Sequence, residues 1–485
     1  MNNYYASNYL NVYDSYRDTS ILFNGFTGTI DEVSRDLGRM LSESVAKHLM
    51  IPSEHLSLLS DYELKFLEKR GHITTLDLSA EVDKFKKYVE NLNNYVNERS
   101  ATEGALMLVP SYNCNLACSY CYQKTLRGGD DNKNRIMTKQ QVDFIFTALI
   151  GQLFPKVTSN SKISVMLYGG EPFLSSNKEV IAKMLEYTTK DQIRLSAISN
   201  ATQLHSMLEF FGNDVGLVNS VQVSFDGAKE HHDSSRVDVY QNPTFEQIIE
   251  NVHKLLDRRV RVGIRMNIDK HAAPTMPSLL ERLKNEGILD NSLVRPYAWV
   301  IHSHFDQIET DKLLTPIGLA KYMEDHKINV ETPIGRRERR LKQVFDAVKG
   351  IPLRRTSFCM KCSPNSFLYD PYDNIYSCYE EAGHLDKRIG YVTEEKKVVI
   401  NDSYYEGLKR HVAAIRDCKS CSVALTCGGG CPFAAQQRCG NMFEPDCDCQ
   451  KECVEKAVQK LFKKRIETGG VNIVLNDMED LYPNA

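Results

Sequence analysis

Three cysteines stand within eight residues in the stretch Ser111-Tyr112-Asn113-Cys114-Asn115-Leu116-Ala117-Cys118-Ser119-Tyr120-Cys121-Tyr122, which follows the apolar run Ala105 to Val109. Thiolates spaced x3 and then x2 on one short loop can hold three corners of a cubane iron-sulfur cluster, and no fourth cysteine lies nearby to close it. One iron would be left open to substrate or cofactor, by the logic that separates catalytic from structural zinc sites. A closed zinc or disulfide site is the competing reading, but zinc motifs pair two cysteines with a second pair close by. The other eleven of the 14 cysteines fall in tight groups between Cys359 and Cys453, which suits metal binding better than disulfides.

Elements must position such a loop, and composition bounds what they are. With 485 residues, 42% hydrophobic and 25% charged, the chain is long enough for two or three cores. No signal-peptide pattern follows Met1 and no apolar stretch approaches the roughly 20 residues that span a bilayer, so a cytoplasmic enzyme without membrane contact is expected. A net charge of -3 argues mildly against a nucleic-acid partner.

From Gly104 to about Val300, short apolar runs alternate with amphipathic helical patterns. The runs are Ala105 to Val109, Ile163 to Leu167, Ile193 to Ile198, Val221 to Phe225, Val260 to Ile268 and Leu293 to Val300. Helical spacing appears in Val142, Ile145, Phe146 and Leu149, in Ile181, Met184 and Leu185, and in Phe245, Ile248, Ile249, Val252, Leu255 and Leu256. This α/β alternation predicts a parallel sheet, a partial (β/α)6 barrel over 104–300, with functional groups at the strand C-terminal ends. The cysteine loop follows the first run and Gly169-Gly170-Glu171-Pro172 follows the second. The third ends Ser196-Ala197-Ile198-Ser199-Asn200-Ala201-Thr202, and the fourth Ser224-Phe225-Asp226-Gly227, shortly before His231-His232-Asp233-Ser234-Ser235-Arg236. Arg265 and Asn267, at the end of the fifth run, point into the same mouth if the strand count is right.

The pattern C-x3-C-x-Tyr-C after a short strand, with those downstream segments, resembles the radical S-adenosylmethionine enzymes. The resemblance implies that Cys114, Cys118 and Cys121 hold a [4Fe-4S] cluster whose open iron chelates the methionine end of S-adenosylmethionine, and that a 5'-deoxyadenosyl radical abstracts a substrate hydrogen. It assigns Asp226 to the catalytic set beside the three cysteines, and Tyr120, Gly169, Gly170, Glu171, Ser196, Asn200, Ser224 and Arg236 to the cofactor. Glu171 and the backbone around it would receive the methionine ammonium, Ser196 the carboxylate. Arg236 presents a bidentate fork to the same carboxylate, against a surface salt bridge as the plainer reading. Ala201 departs from the glycine common there.

Cys362-x10-Asp373-x4-Cys378 followed by Cys418-x2-Cys421-x5-Cys427-x3-Cys431 resembles the SPASM extension, which carries two auxiliary [4Fe-4S] clusters. By that resemblance Cys359, Cys362, Cys378 and Cys431 hold one cluster, and Cys418, Cys421, Cys427 and Cys449 the other, with Cys447 the runner-up for the last place. Cys439, Cys453 and one of that pair have no role. Asp373 stands where the pattern has glycine, and Asp tolerates the left-handed turn. A cysteine-rich domain over 356–465, linker helices over 301–355 and a tail over 466–485 are expected. The basic run Arg336-Arg337-Glu338-Arg339-Arg340 reads as a solvated helix face.

Residues 1–103 form a separate unit. Thr29-x-x-Glu32 reads as a capping box opening a helix with Val33, Leu37, Leu41 and Val45, and Ser60-x-x-Glu63 as one opening a shorter helix that Gly71 ends. With strand-like His72-Ile73-Thr74-Thr75 this resembles a winged-helix-like peptide-recognition module, followed by a helix from Ala80 to Asn97 packing on the next domain. Auxiliary clusters supply a relay for the second electron of a two-electron oxidation. The expected function is therefore oxidative modification of a ribosomally made precursor peptide, by a thioether or carbon-carbon cross-link or a related oxidation. Its partners would be a leader-bearing precursor and an external flavodoxin- or ferredoxin-type reductant. A sulfatase-type maturase forming formylglycine is the alternative, and a zinc-ribbon interaction protein a remote one.

Overall fold

The computed structural model describes residues 3–15, 17–126, 135–302, 310–345, 355–447 and 449–467. The chain divides into two compact units, one of residues 1–96, 333–362 and 409–485, the other of 97–332 and 363–408. The cysteine-rich segment is thus shared between two cores and has no separate one.

In the first unit, β1 (Tyr5–Ala6) pairs antiparallel with β5 (Ile73–Thr74), and β2 (Leu10–Asp14), β3 (Thr19–Asn24) and β4 (Ile30–Ser34) form an antiparallel meander. The helix expected to open at Thr29 opens instead after Ser34, whose hydroxyl accepts from Leu37 N, and runs Arg35–Lys47. Residues 30–34 satisfy their backbone in the ladder with β3, and the Asp31 carboxylate is buried as acceptor from Arg70 Nε (2.7 Å) and His72 Nε2 (2.6 Å). The second box is present: Ser60 and Glu63 cap the helix Asp61–Lys69, and Gly71, at φ 78°, turns the chain out of it.

The helix Leu78–Ser100 buries Phe85, Tyr88, Val89 and Leu92. These meet Tyr9 and Phe26, and they pack on Val412, Ile415, Cys418, Ala424 and Leu425 of the C-terminal cysteine region. Tyr9 stacks on Phe85 at 4.5 Å and its hydroxyl donates to Lys419 O at 2.6 Å. A methyl on Gly25 would lie 1.7 Å from Ser422 O, so only glycine fits against this loop. The basic run lies on the helix Pro333–Phe345, where Ile334, Glu338 and Leu341 are buried and Glu338 pairs with Lys464 of the helix Gln450–Glu467. It is therefore in part a packing face; the side chains of residues 337 and 340 lie outside the described ones.

In the second unit the six expected runs are six parallel strands: β6 (Gly104–Leu108), β7 (Ile163–Leu167), β8 (Arg194–Ser199), β9 (Val218–Phe225), β10 (Arg261–Ile268) and β11 (Val294–Val300), neighbours in chain order. Beyond β6 the sheet continues with β12 (Ser366–Tyr369), parallel to β6, and then antiparallel β13 (Asn374–Tyr376), β14 (Gly390–Val392) and β15 (Val398–Ile400). The barrel is therefore open, as expected, and the edge of β6 is covered by residues 366–369. One face of the strands, with Ile163, Val165, Leu167, Leu195, Val221, Val223, Val262 and Ile264, is buried with Val142, Ile145, Leu149, Ile181, Met184, Ile248 and Val252 of the helices. Each such aliphatic contributes about 1.5–3 kcal/mol. The opposite face, with Ser164, Met166, Ser196, Gln222, Ser224 and Arg265, is only half-buried and lines the mouth.

Asp373 has φ 62° in the β12–β13 turn, where its carboxylate accepts from Gln141 Nε2 at 2.9 Å. Among the described residues no helix is long and apolar enough to cross a membrane.

Candidate active site

The cysteine loop leaves the C-terminal end of β6 and is held from three sides. From β7, Gly170 N donates to Ser111 O (3.3 Å) and Glu171 N to Asn113 O (2.8 Å). A methyl on Gly169 would lie 2.5 Å from Ser111 O, and one on Gly170 2.1 Å from Asn113 O. The glycine pair therefore lets two backbones touch, which only hydrogen at both Cα positions allows. From β8, Asn200 Nδ2 donates to Asn115 Oδ1 (3.0 Å) and points at Cys114 Sγ (3.6 Å), while Asn115 Nδ2 donates to Thr202 Oγ1 (2.8 Å). On the third side the segment after β9 runs alongside: Ala117 N donates to Val237 O (2.9 Å), Ser119 N to Ser235 O (3.3 Å) and Val239 N to Asn115 O (2.9 Å).

Glu171 is 1% exposed, and its carboxylate accepts from Phe173 N (3.0 Å), Ser199 Oγ (2.8 Å) and Asn200 N (2.6 Å). Burial raises its pKa against those donors. Both oxygens are spent inside the protein, so this carboxylate ties the ends of β7 and β8 together beneath the cysteine loop. Ser196 and Ser224 stand half-buried on the mouth face.

At the far side Arg236 Nη1 donates to Tyr120 Oη (2.6 Å) and lies 3.9 Å from Asp226 Oδ1. Asn267 Nδ2 donates to Asp226 Oδ1 (3.0 Å) and to Tyr120 Oη (3.3 Å), and Arg265 Nε to Asn267 Oδ1 (2.8 Å). Burial raises the Tyr120 pKa well above its ordinary value, with the Arg236 charge opposing, so Tyr120 keeps its proton. For Arg236 burial works the other way and is outweighed by Tyr120, Cys118 and Asp226, so the guanidinium stays charged. Asp226 Oδ2 and Arg236 Nε are buried with no protein partner, two complementary polar atoms beside the cysteine loop.

His232 is structural. Fully buried, it is driven neutral by burial, with its Nδ1 accepting from Asp226 N (3.3 Å). Thr244 Oγ1 donates to Arg236 O (2.6 Å), so the bond between Thr244 and His232 (3.2 Å) carries the histidine's Nε2 proton. His232 thereby sets the angles of Asp226 and Arg236. Thr244 and residues 237–239 had no signal in the sequence, because each acts through a partner distant along the chain.

The three loop thiols are in no disulfide, with Cys118 buried and the other two half-exposed. Leu116 N lies 3.4 Å from Cys114 Sγ, and with Asn200 it provides the N–H donors that a thiolate accepts. The donor set fits an iron-sulfur cluster. In the first unit Cys362 N donates to Cys359 O (3.1 Å), and the Cys362 thiol is held down by Cys359 and then, against burial, by the neighbouring Arg410 guanidinium. Cys431 N donates to Asp446 Oδ2 (3.0 Å). Cys378, in the second unit, is buried just after β13.

Cys418 is pushed up by burial and then by Cys427, Cys421 and Cys447, which lie within electrostatic reach of it. Cys449, expected to complete that set, has φ 41° at the start of the helix Gln450–Glu467, and its sulfur is 3.8 Å from the fully buried Cys453. Replacing Cys447 by Ala should accordingly remove one cluster's iron and its EPR signal. Cys449→Ala should leave both, and the opposite pattern would restore the choice by spacing.

The parallel, open α/β sheet carries three thiols on the loop after its first strand. Residues 108–271 match the Radical SAM superfamily and form a Radical SAM domain, a domain of enzymes that use S-adenosylmethionine and a [4Fe-4S] cluster. The chain is 22% identical over 391 residues to the cysteine-type anaerobic sulfatase-maturating enzyme of Clostridium perfringens (strain ATCC 13124), covering 74% of this chain and 97% of that protein. Native anSMEcpe with bound AdoMet superposes with a TM-score of 0.54 at 19% identity, over 75% of this chain and all of the other. Streptococcus suis SuiB bound to precursor peptide SuiA gives 0.51 at 13% identity, over 92% of this chain and all of SuiB.

Proposed function

We propose that this enzyme oxidatively modifies a ribosomally made precursor peptide, forming a thioether or carbon-carbon cross-link or a related oxidation. The observation that carries the reading is the likeness to SuiB, solved with its precursor peptide, which extends over 92% of this chain against 75% for anSMEcpe. The N-terminal meander, with β4 on its edge, supports docking of an extended leader by strand addition. When bound, the cluster and S-adenosylmethionine supply a 5'-deoxyadenosyl radical. Cys114, Cys118 and Cys121 would hold the cluster. Ser196, Ser224, Tyr120 and Arg236 line the cofactor's side of the mouth, Asp226 faces it as an acceptor, and Gly169, Gly170, Glu171 and Asn200 fix the loop's position.

Two auxiliary clusters fit the remaining thiols, with Cys447 in the place first given to Cys449. The relay they form requires an external one-electron partner, a flavodoxin or ferredoxin. The match across 97% of a sulfatase-maturating enzyme favours the second reading, formylglycine formation on a protein. Mass spectrometry separates the two. Reconstituted enzyme is offered a leader-bearing precursor peptide and, separately, a cysteine-containing sulfatase peptide. Loss of a hydrogen pair from the first supports the proposal; loss of the cysteine sulfur from the second alone overturns it.

A further inference from the structure

Arg410 is the largest fully buried side chain among the described residues, at 0% exposure. Its Nη1 donates to Gly430 O (3.0 Å), its Nη2 to Gly429 O (3.0 Å) and Glu444 O (3.3 Å), and its Nε to Met442 O. All four partners are neutral carbonyls, and no carboxylate among the described residues pairs with it. A guanidinium does not shed its proton in a protein, and taking a charge out of water without an opposite charge is costly. Carbonyl dipoles offset part of that penalty. The rest requires negative charge close by.

The neighbours able to carry that charge are thiols. A methyl on Gly429 would lie 3.7 Å from Arg410 Nη1 and 3.8 Å from Cys418 Sγ, so the guanidinium and that sulfur flank one point. Cys362 stands beside the guanidinium on another side, and Cys359 is within its field. Two of the carbonyls it binds, those of Gly429 and Gly430, belong to Cys427-Gly428-Gly429-Gly430-Cys431, whose three glycines have φ of 82°, 84° and 76°. Methyls there would come within 2.7 Å of Ser357 O, 2.4 Å of Ile415 Cδ1 and 2.1 Å of Asp446 O respectively. The turn joining a cysteine of one set to a cysteine of the other is thus wound about the Arg410 head group.

We propose that Arg410 is the shared counter-charge of the two auxiliary clusters and raises their potentials so that they accept the electron released in peptide oxidation. The inference rests on the two-cluster reading above. In the step it serves, the substrate radical loses one electron and one proton, and an auxiliary cluster gains that electron before passing it to the external carrier. A thiolate-bound cluster carries one more negative charge when reduced, so a fixed cation beside it favours the reduced form.

The test uses the full chain with Cys114, Cys118 and Cys121 replaced by Ala, so that only auxiliary clusters remain, and reads iron content and EPR-monitored midpoint potentials. Arg410→Gln is expected to shift the auxiliary potentials to more negative values, and Arg410→Lys, which keeps the charge, to restore most of the shift. Equal shifts in both variants, or none in either, overturn the proposal. Should Arg410→Gln take up no iron, Arg410→Lys decides alone. Full iron with near-parental potentials supports the charge, whereas iron loss with an unchanged far-UV spectrum makes the role steric and sinks it. If the parental triple variant itself holds no iron, the two-cluster reading has failed and not the assignment of Arg410.

Discussion

Replacing Cys114, Cys118 and Cys121 together by Ala abolishes reductive cleavage of S-adenosylmethionine and leaves about two thirds of roughly twelve irons per chain, as expected for three four-iron clusters. The loop is held independently of its sulfurs by backbone bonds to residues 170, 171 and 235–239 and by the Asn115–Thr202 pair. The variant should therefore fold, and its remaining iron should report the other cysteines alone. Cleavage that survives the triple replacement would remove the assignment of this loop. An iron content near four in the parent, with every cysteine intact, would remove the auxiliary clusters.

Deleting residues 1–100 has the larger structural effect. Read as sequence, the N-terminal block is a separable module whose loss leaves clusters in place and only prevents docking. The structure predicts otherwise. Tyr9, Phe26, Phe85, Tyr88, Val89 and Leu92 share one core with Val412, Ile415, Cys418 and Leu425, and Asn8, Tyr9 and Asn11 bond residues 419–422. At about 1.5–3 kcal/mol for each large side chain, stripping six of them from this core removes on the order of 10 kcal/mol, comparable with the roughly 5–15 kcal/mol that holds a domain folded. The truncate should be insoluble, or soluble with the iron of Cys418, Cys421, Cys427 and Cys447 missing. Size-exclusion chromatography and iron analysis decide it. A monodisperse truncate with the full complement would show that residues 409–467 fold unaided. Leader binding is then better tested with point variants on the outer edge of β4, which leave that core intact.

Much of this was legible before any coordinates. The six parallel strands fall within a few residues of the apolar runs, because each strand is buried on its helix-facing side and must repeat Val, Ile and Leu there. The helices were readable from 3.6-residue spacing, and the Ser60–Glu63 box from a purely local exchange of hydrogen bonds. The three-cysteine loop, the glycine pair and Arg236 were readable because their chemistry depends on residue type and short spacing. Where local signals competed, the reading failed. Thr29-x-x-Glu32 has a capping pattern, but pairing with β3 gave residues 30–34 a better set of backbone partners, and the helix began five residues later at its own cap, Ser34.

The tertiary structure alone decided which distant residues meet. It gave Glu171 to Phe173 N, the Ser199 hydroxyl and Asn200 N, set His232 behind Asp226 and Arg236, and carried residues 363–408 onto the edge of the barrel sheet. Sequence spacing bounds how far a side chain can reach along its own segment, whereas these contacts are selected by burial and by the need of each buried polar group for a partner. The number of thiols and the order of strands and helices were therefore written in the chain itself. Which distant side chains share a core, as Tyr9 and Phe85 do with Val412 and Ile415, depended on the packing of 409–467 against a helix more than three hundred residues earlier.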